Sequence, residues 1–370
     1  MTEPEPLPLI GTNEVRWRRR TLVHFSGCDY FRLARDRRVI AAMRAGVRRH
    51  GLNVAASRLT TGNRGIYREL EIALARFFGA ETALLFPDGY LAPLAVAQSL
   101  AGDFTHALVD ELSHGALMDA ARMTDCVIAH FKHRDAADLK NLLARCGEGA
   151  RPIVLTDGMF AHDGSAAPLR EYLKILPAHG LILVDDAHGG GLLGKTGRGT
   201  PELAGVSRER IVQCATLSKA FGVYGGVVLT SPAIRRTIVE RSRIFMGTTP
   251  LSPPLAQAAL ASLKILHNEP ARRVRLFENV RRLRTALRFG GWEIADMPGP
   301  IVRLPTLSAP DAAVLKKRLL AAGIFPPFLK YGRASRGVFR FVISSEHPPA
   351  QLTRLARVLA DFKLRAANLI

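Results

Sequence analysis

Cysteine is too scarce and too scattered here to staple a fold. The 370 residues hold four, Cys28, Cys126, Cys146 and Cys214, with no C-x-x-C spacing, which excludes a disulfide scaffold and fits a reducing compartment such as the cytoplasm. Long apolar runs are missing too: none approaches about 18 residues, so no membrane span is expected. The N-terminus, MTEPEPLPLIGTNEVRWRRR, is acidic and proline-rich before it turns basic, the reverse of a secretory signal. Internal repeats and low-complexity segments are lacking. Lysine is sparse, only 10 of the 52 basic residues, so an isolated lysine in an unusual setting stands out.

What is present is a globular composition, with 48% apolar, 23% charged and 7% aromatic residues. The length suits two domains, or a large α/β unit with a smaller appendage. The formal net charge of +20 favours anionic partners. Its basic residues are spread out, however. Arg16, Arg18, Arg19 and Arg20 form one dense cluster, while Arg235-Arg236 and Arg281-Arg282 sit in helical patterns near glutamates, as on solvated helix faces. No nucleic-acid partner is expected, and the anions in view are small substrates.

Residues 38–50 and 66–78 have apolar positions at helical spacing. Short apolar runs bounded by turn residues follow at 82–87, 106–110, 126–131, 152–158, 180–186, 210–216 and 225–231, and helical patterns alternate with them at 92–101, 115–123, 135–146 and 167–178. This order predicts βαβ units around a mostly parallel, doubly wound, buried sheet. From about 254 a long helical stretch begins, followed by IVRLPTL, a helix over 309–322 and RFVIS, a small C-terminal α+β domain. The expected division is an N-terminal segment 1–40, a large domain 41–254 and a small domain 255–370, with the boundary near Pro253-Pro254.

Gly189, Gly194, Lys195 and Thr196 satisfy the G-x-x-x-x-G-K-T pattern of a phosphate-binding loop. The context fails, because a helix must open at the Lys and Thr, and GRGTPE follows instead. Lys219, in CATLSKAFGVYGG, is different: it follows an expected strand among small, apolar and glycine neighbours. Such surroundings keep an amine neutral enough for Schiff-base chemistry, although a flexible surface lysine would read the same way. Thr216, three residues earlier, offers a hydroxyl to a phosphate. Asp185 and Asp186 end the strand LILVDD and His188 lies just beyond, where the carboxyl ends of parallel strands form a ligand crevice. A carboxylate there can hold a pyridine nitrogen protonated. His114 follows another strand end in VDELSHGAL; helix capping is its ordinary alternative.

These motifs resemble the α-oxoamine synthases, fold type I pyridoxal phosphate enzymes that condense an amino acid with an acyl thioester. In chain order, FSGCDYFRLA (25–34) is similar to FxSNDYLGLA, SRLTTGNRGIYRELE (57–71) to SRxxxGxxxxHxxLE, and LFPDGYLAPLA (85–95) to LFxSGYxAN. VDELSHGAL is similar to DxLNHAS, TDGMFAHDGSAAPL (156–169) to EGxFSMDGDxAPL, and VDDAHGGGLLGKTGRG (184–199) to DEAHxxGxxGxxGRG. ATLSKAFGVYGG matches the lysine motif, MGTTPLSPP (246–254) a T-x-x-S-P-P segment, and GVFRFVISSEH (337–347) GxxRLRxxxSxxH. The resemblance covers nearly the whole chain. It implies a large domain with a doubly wound sheet plus a small C-terminal domain, pyridoxal 5'-phosphate as cofactor, and no metal. Carried over by position, Lys219 holds the cofactor as a Schiff base and transfers protons, Asp185 pairs with the ring nitrogen, His114 stacks on the ring and His188 reaches its phenolic oxygen. Gly89, Tyr90 and Thr216 contact the phosphate, with Thr249 of the partner subunit, which implies a homodimer with shared active sites. Arg340 falls at the arginine that grips the substrate carboxylate.

The implied partners are an amino acid and an acyl-CoA or acyl carrier protein thioester. In its compactness the chain resembles members that join L-alanine to a pimeloyl thioester in biotin synthesis. Glycine C-acetyltransferase and serine palmitoyltransferase types, the latter through Ser252-Pro253-Pro254, stand as alternatives, as does a plain aminotransferase. Cys28, Tyr67, Pro93, Ala161 and Val342 depart from the family's Asn, His, Asn, Ser and Arg, which bears on substrate identity more than on reaction class.

Overall fold

Strand runs such as PIVLTD and LILVD are apolar until their carboxyl ends, so they demand cover on both faces. The computed structural model, which describes residues 6–330 and 336–367, supplies it. The chain opens with a hairpin of β1 (Glu14–Trp17) and β2 (Arg20–His24). Its turn is the dense basic cluster: Arg18 and Arg19 adopt positive φ of 43° and 64°, and the Arg18 guanidinium lies 4.7 Å from the centre of the Trp17 ring.

Next come α1 (Arg37–His50), α2 (Gly65–Phe78), β3 (Thr82–Phe86), α3 (Leu91–Ser99), β4 (His106–Asp110), α4 (Gly115–Arg122), β5 (Val127–Phe131), α5 (Ala136–Arg145) and β6 (Pro152–Asp157). They continue with α6 (Leu169–Ile175), β7 (Leu181–Asp185), α7 (Thr200–Ala204), β8 (Ile211–Thr216), β9 (Gly226–Thr230), α8 (Pro232–Arg241), α9 (Arg243–Gly247) and α10 (Pro253–Asn268). The seven expected strands form one sheet in the order β3-β9-β8-β7-β6-β4-β5, in which only β9 runs against its neighbours. Side chains alternate between its faces. Val109, Leu155 and Leu183 pack with α3, α4 and α8 on one face. Leu108, Val154 and Ile182 pack with α5 and α6 on the other. The sheet is therefore doubly wound.

The remaining elements are α11 (Ala271–Phe289), β10 (Ile301–Arg303), α12 (Ala309–Ala321), β11 (Ile324–Phe325), β12 (Phe328–Leu329), β13 (Val338–Val342) and α13 (Pro349–Ala367). β11 joins the hairpin as β1-β2-β11, and β10-β13-β12 form a second small sheet. Two compact units result. One comprises Leu33–Phe160 with Ser165–Glu269; the other holds the chain up to Arg32, Ala161–Gly164 and everything from Pro270. The divisions thus fall at Arg32 and Glu269 rather than at 40 and 254, and the small unit includes the N-terminal hairpin. The physical reason is packing: α1 and α10 cross closely enough that a Cβ on Gly46 would lie 2.8 Å from Pro254 Cα, so both helices belong with the large sheet. The long helical stretch expected from 254 breaks where Pro270 cannot continue it.

Arginine serves as a connector in both units. Arg210 donates to the carbonyls of Leu173, Leu176 and Pro177, closing the end of α6. Arg284, 5% exposed, donates to those of Met297, Gly299 and Ile301.

In the smaller unit two imidazoles are buried. His347 stacks on Phe25 with ring centroids 4.4 Å apart, and its Nδ1 accepts the Ser344 N–H at 2.9 Å. Burial, then the Arg32 charge, lowers His347 to about 3 and His24 to about 4. Both are neutral in the fold, whereas an unfolded imidazole titrates near 6.5. Their contribution to stability is complete above that value and falls as pH drops from about 6.5 toward 4, by about 1.4 kcal/mol per pH unit for each. Urea titrations between pH 4.5 and 7.5 should show this acid-side loss, with His347→Asn removing about half of it; an unchanged pH dependence in that variant would overturn the assignment.

Candidate active site

The alternation that buries the sheet also places polar groups at its carboxyl edge. On the face covered by α3 and α4, β6 presents Ile153 and Leu155, β7 Leu181 and Leu183, and β8 Val212 and Cys214. The next positions in those rows are Asp157, Asp185 and Thr216. The apolar rows of three neighbouring strands therefore end in two carboxylates and a hydroxyl.

Asp157 and Asp185 are register partners on adjacent parallel strands, and both are buried. Desolvation raises the pKa of each. For Asp185 the Lys219 charge, the Ala187 N–H at 3.0 Å and His114 pull it back. For Asp157, desolvation and the like charge of Asp185 push it well above the ordinary carboxylate range. Among the described residues none donates a hydrogen bond to Asp185 Oδ2, so this buried residue keeps an acceptor for a ligand. Lys219, half-buried, occupies the turn after β8, where its carbonyl accepts the Gly222 N–H.

His114 is the N-cap of α4, so the ordinary reading of a capping histidine also holds. Its Nδ1 accepts the Ala116 N–H at 3.2 Å. Its own backbone N–H donates to Asp157 Oδ2 at 3.0 Å. The ring is exposed and meets Tyr90 edge-on, with centroids 6.0 Å apart, while the Tyr90 hydroxyl bonds Asp119. His188 lies half-buried on the turn beyond β7.

At the ends of β3 and β8 the backbone is pressed together. A Cβ on Gly89 would lie 2.8 Å from Thr216 Cβ, and one on Gly226 would lie 2.1 Å from the Asp88 carbonyl oxygen. Only glycine permits this approach. Thr216 Oγ1 donates to Gly225 O and lies 2.7 Å from Ser218 Oγ, whose side chain is exposed. This is a cradle of small residues, backbone groups and hydroxyls; with an amine and a buried carboxylate that keeps one oxygen without a donor on the same sheet edge, it fits a phosphorylated pyridine aldehyde. Thr249 stands apart, exposed in the segment between α9 and α10.

Asp186 has another job. Its carboxylate accepts from Thr200 N, Thr200 Oγ1 and Gln213 Nε2 at 2.8, 2.7 and 2.6 Å, and burial pushes it up to about 6. Gly189 and Gly199 make room for that carboxylate, since a Cβ on either would lie 2.1 or 1.9 Å from it. Glu202 meanwhile accepts the Thr196 and Arg198 N–H groups. The apparent phosphate loop is thus filled by the chain's own acids.

Arg340 belongs to the smaller unit, on β13. It forms no ion pair among the described residues, its Nε is buried without a partner, and Nη2 lies 3.7 Å from Cys28 Sγ. A half-buried guanidinium without an anion is set for one from outside. Of the departing residues, Val342 is buried two positions along the same strand, and Tyr67 is buried with its hydroxyl donating to Leu251 O.

Sequence reading passed over Asp157 and Ser218. Both are visible in the motifs, Asp157 standing at the Glu of EGxF, but nothing short of register shows it opposite Asp185. A carboxylate with a raised pKa in the fold stabilises fully below its unfolded value, and that stabilisation is lost as pH rises through the folded one. Asp157→Asn retains an acceptor for the His114 N–H without a charge. Its melting temperature relative to the unaltered protein should therefore rise from pH 5 to pH 8; a difference constant with pH would show that Asp157 keeps no extra proton.

Comparison with known proteins shows the family. The aminotransferase class I and II family matches residues 21–359. The 8-amino-7-oxononanoate synthase of Thioalkalivibrio sulfidiphilus is 37% identical over 353 residues, 94% of this chain and 90% of that protein. Among solved structures, a serine palmitoyltransferase from S. paucimobilis with a bound PLP–myriocin adduct superposes with a TM-score of 0.91 at 26% identity, covering 100% of this chain and 94% of that one. The 8-amino-7-oxononanoate synthase of Francisella tularensis gives 0.81 at 25% identity, covering 94% and 99%. The chain accordingly belongs to the aminotransferase class I and II family and, within it, to the pyridoxal-phosphate-dependent α-oxoamine synthases related to 8-amino-7-oxononanoate synthase.

Proposed function

We propose that the protein joins L-alanine to a pimeloyl thioester with loss of carbon dioxide, the reaction of an 8-amino-7-oxononanoate synthase, and that it works as a homodimer. The observation that carries the reading is a buried Asp185 at the carboxyl end of β7 within electrostatic reach of the Lys219 amine, which lies on the turn after β8. Bound pyridoxal phosphate supplies an electron sink for a carbanion at the amino acid's α-carbon. Lys219 binds the cofactor through its amine, then takes and returns the α-proton at Nζ. Asp185 keeps a proton on the ring nitrogen, His114 covers the ring and His188 reaches its phenolic oxygen. Gly89, Tyr90 and Thr216 hold the phosphate, joined by Thr249 of the partner subunit, which accounts for Thr249 standing exposed and apart. Arg340 grips the amino acid's carboxylate and so selects the α-bond that breaks.

The relatives at 37% identity support alanine and a pimeloyl thioester. The higher TM-score to serine palmitoyltransferase favours a second reading, serine with a long acyl chain. The four free cysteines suit the cytoplasm, and no helix among the described residues is long and apolar enough to cross a membrane.

A screen of acyl thioesters, as CoA and carrier-protein conjugates, against alanine, glycine and serine tests the proposal through thiol release. Release should be greatest with alanine and a pimeloyl donor and absent in Lys219→Ala. Release with serine and a palmitoyl donor alone would select the second reading, and formation of a keto acid without thiol would make the protein an aminotransferase.

Arg340→Lys keeps the charge but loses the planar fork. It should raise the amino-acid KM by roughly tenfold, slow α-proton exchange and leave cofactor affinity unchanged. An unchanged KM with weakened cofactor binding would remove Arg340 from the carboxylate role.

A further inference from the structure

The loop that leads into α3 carries an acid where a phosphate is expected. Asp88 Oδ1 accepts the backbone N–H groups of both Tyr90 and Leu91, each at 2.9 Å. Those donors open the helix, so Asp88 is an effective cap. The Gly89 N–H beside them has no acceptor among the described residues, and Ser218, an exposed residue, shares a hydrogen bond between its hydroxyl and that of Thr216. Asp88 is half-buried and has no ion-pair partner among the described residues. Nor can its backbone retreat, since its carbonyl lies against Gly226 and the next residue against Thr216. The family pattern LFxSGYxAN has an uncharged serine at this position, which can cap a helix without adding charge.

We propose that Asp88 opposes the cofactor's phosphate, competing for the Tyr90 N–H and repelling the dianion, so that this chain holds pyridoxal phosphate less tightly than the cradle otherwise allows. The inference rests on the reading that Gly89, Tyr90 and Thr216 receive the phosphate. Two like charges held within a few ångströms at a half-buried site weaken binding by about tenfold. The repulsion deepens as the phosphate loses its second proton, near pH 6.

Full-length protein, freed of cofactor by dialysis, can be titrated with pyridoxal phosphate and with pyridoxal, which lacks the phosphate, following the visible absorbance of the lysine adduct. Asp88→Asn and Asp88→Ser both retain an acceptor for the helix N–H groups. Each should lower the Kd for pyridoxal phosphate about tenfold at pH 7.5 and less at pH 5.5, with the Kd for pyridoxal unchanged. Equal shifts for the two aldehydes would make Asp88 a loop-shaping residue and overturn the proposal, as would unchanged or weaker binding of pyridoxal phosphate. If pyridoxal phosphate forms no adduct in any variant while pyridoxal does, the phosphate assignment falls with it; if neither aldehyde reacts, Lys219 and the proposed function fail as well.

Discussion

Burying a carboxylate at the end of a β-strand is costly unless a cation or donor stands beside it, and here two are buried side by side. Asp157 and Asp185 leave adjacent strands on the same face, so they cannot both be bare anions. Lys219, the Ala187 N–H and the His114 N–H are what make the arrangement tolerable. Much of the large unit follows from this edge. The strands deliver the carboxylates in register, β8 ends where its turn can return a lysine to them, and α4 begins with a histidine whose backbone nitrogen is spent on Asp157. The sheet itself creates the electrostatic tension at this edge.

The glycines answer a second version of the same constraint. Gly158, Gly189 and Gly199 surround the Asp186 carboxylate so closely that a single methyl on any of them would collide with it. Gly89 and Gly226 bring the Asp88 loop onto the ends of β8 and β9. One group encloses a structural acid inside the chain; the other presses into place a loop whose helix-opening N–H groups are taken by Asp88. Two glycine-rich loops close in sequence style thus serve different ends, and only the partners of their N–H groups distinguish them.

Most of the large sheet was legible because apolar runs of strand length alternate with helical spacing, a local signal that the buried α/β core obeys. Lys219, Asp185 and His114 drew attention in the sequence because each lies at or shortly after the end of a strand. What local reading missed depends on contacts between distant residues. Asp157 looks like an ordinary strand end until register sets it opposite Asp185. The unit boundary lies at Glu269 because α10 packs on α1, more than two hundred positions earlier, whereas composition changes at Pro253. The hairpin at residues 14–24 belongs with the C-terminal strands because β11 pairs with β2, which spacing along the chain cannot reveal. The terminal helix did carry its own signal, with Leu352, Leu355, Leu359 and Phe362 at helical intervals and all buried, but no family motif draws the eye to it.

The excess of arginine acquires a mechanical meaning from the side chains that close α6 and the 297–301 segment. Each of those guanidiniums reaches three carbonyl oxygens at once, something a lysine ammonium on a flexible stem does poorly. Arginine here works as mortar between helix ends and loops, and positive charge arrives as a by-product of that masonry. Replacing these arginines with lysine would keep the formal charge at +20 and still loosen the joints. The number that first suggested an anionic partner is thus in part a property of how the chain is held together.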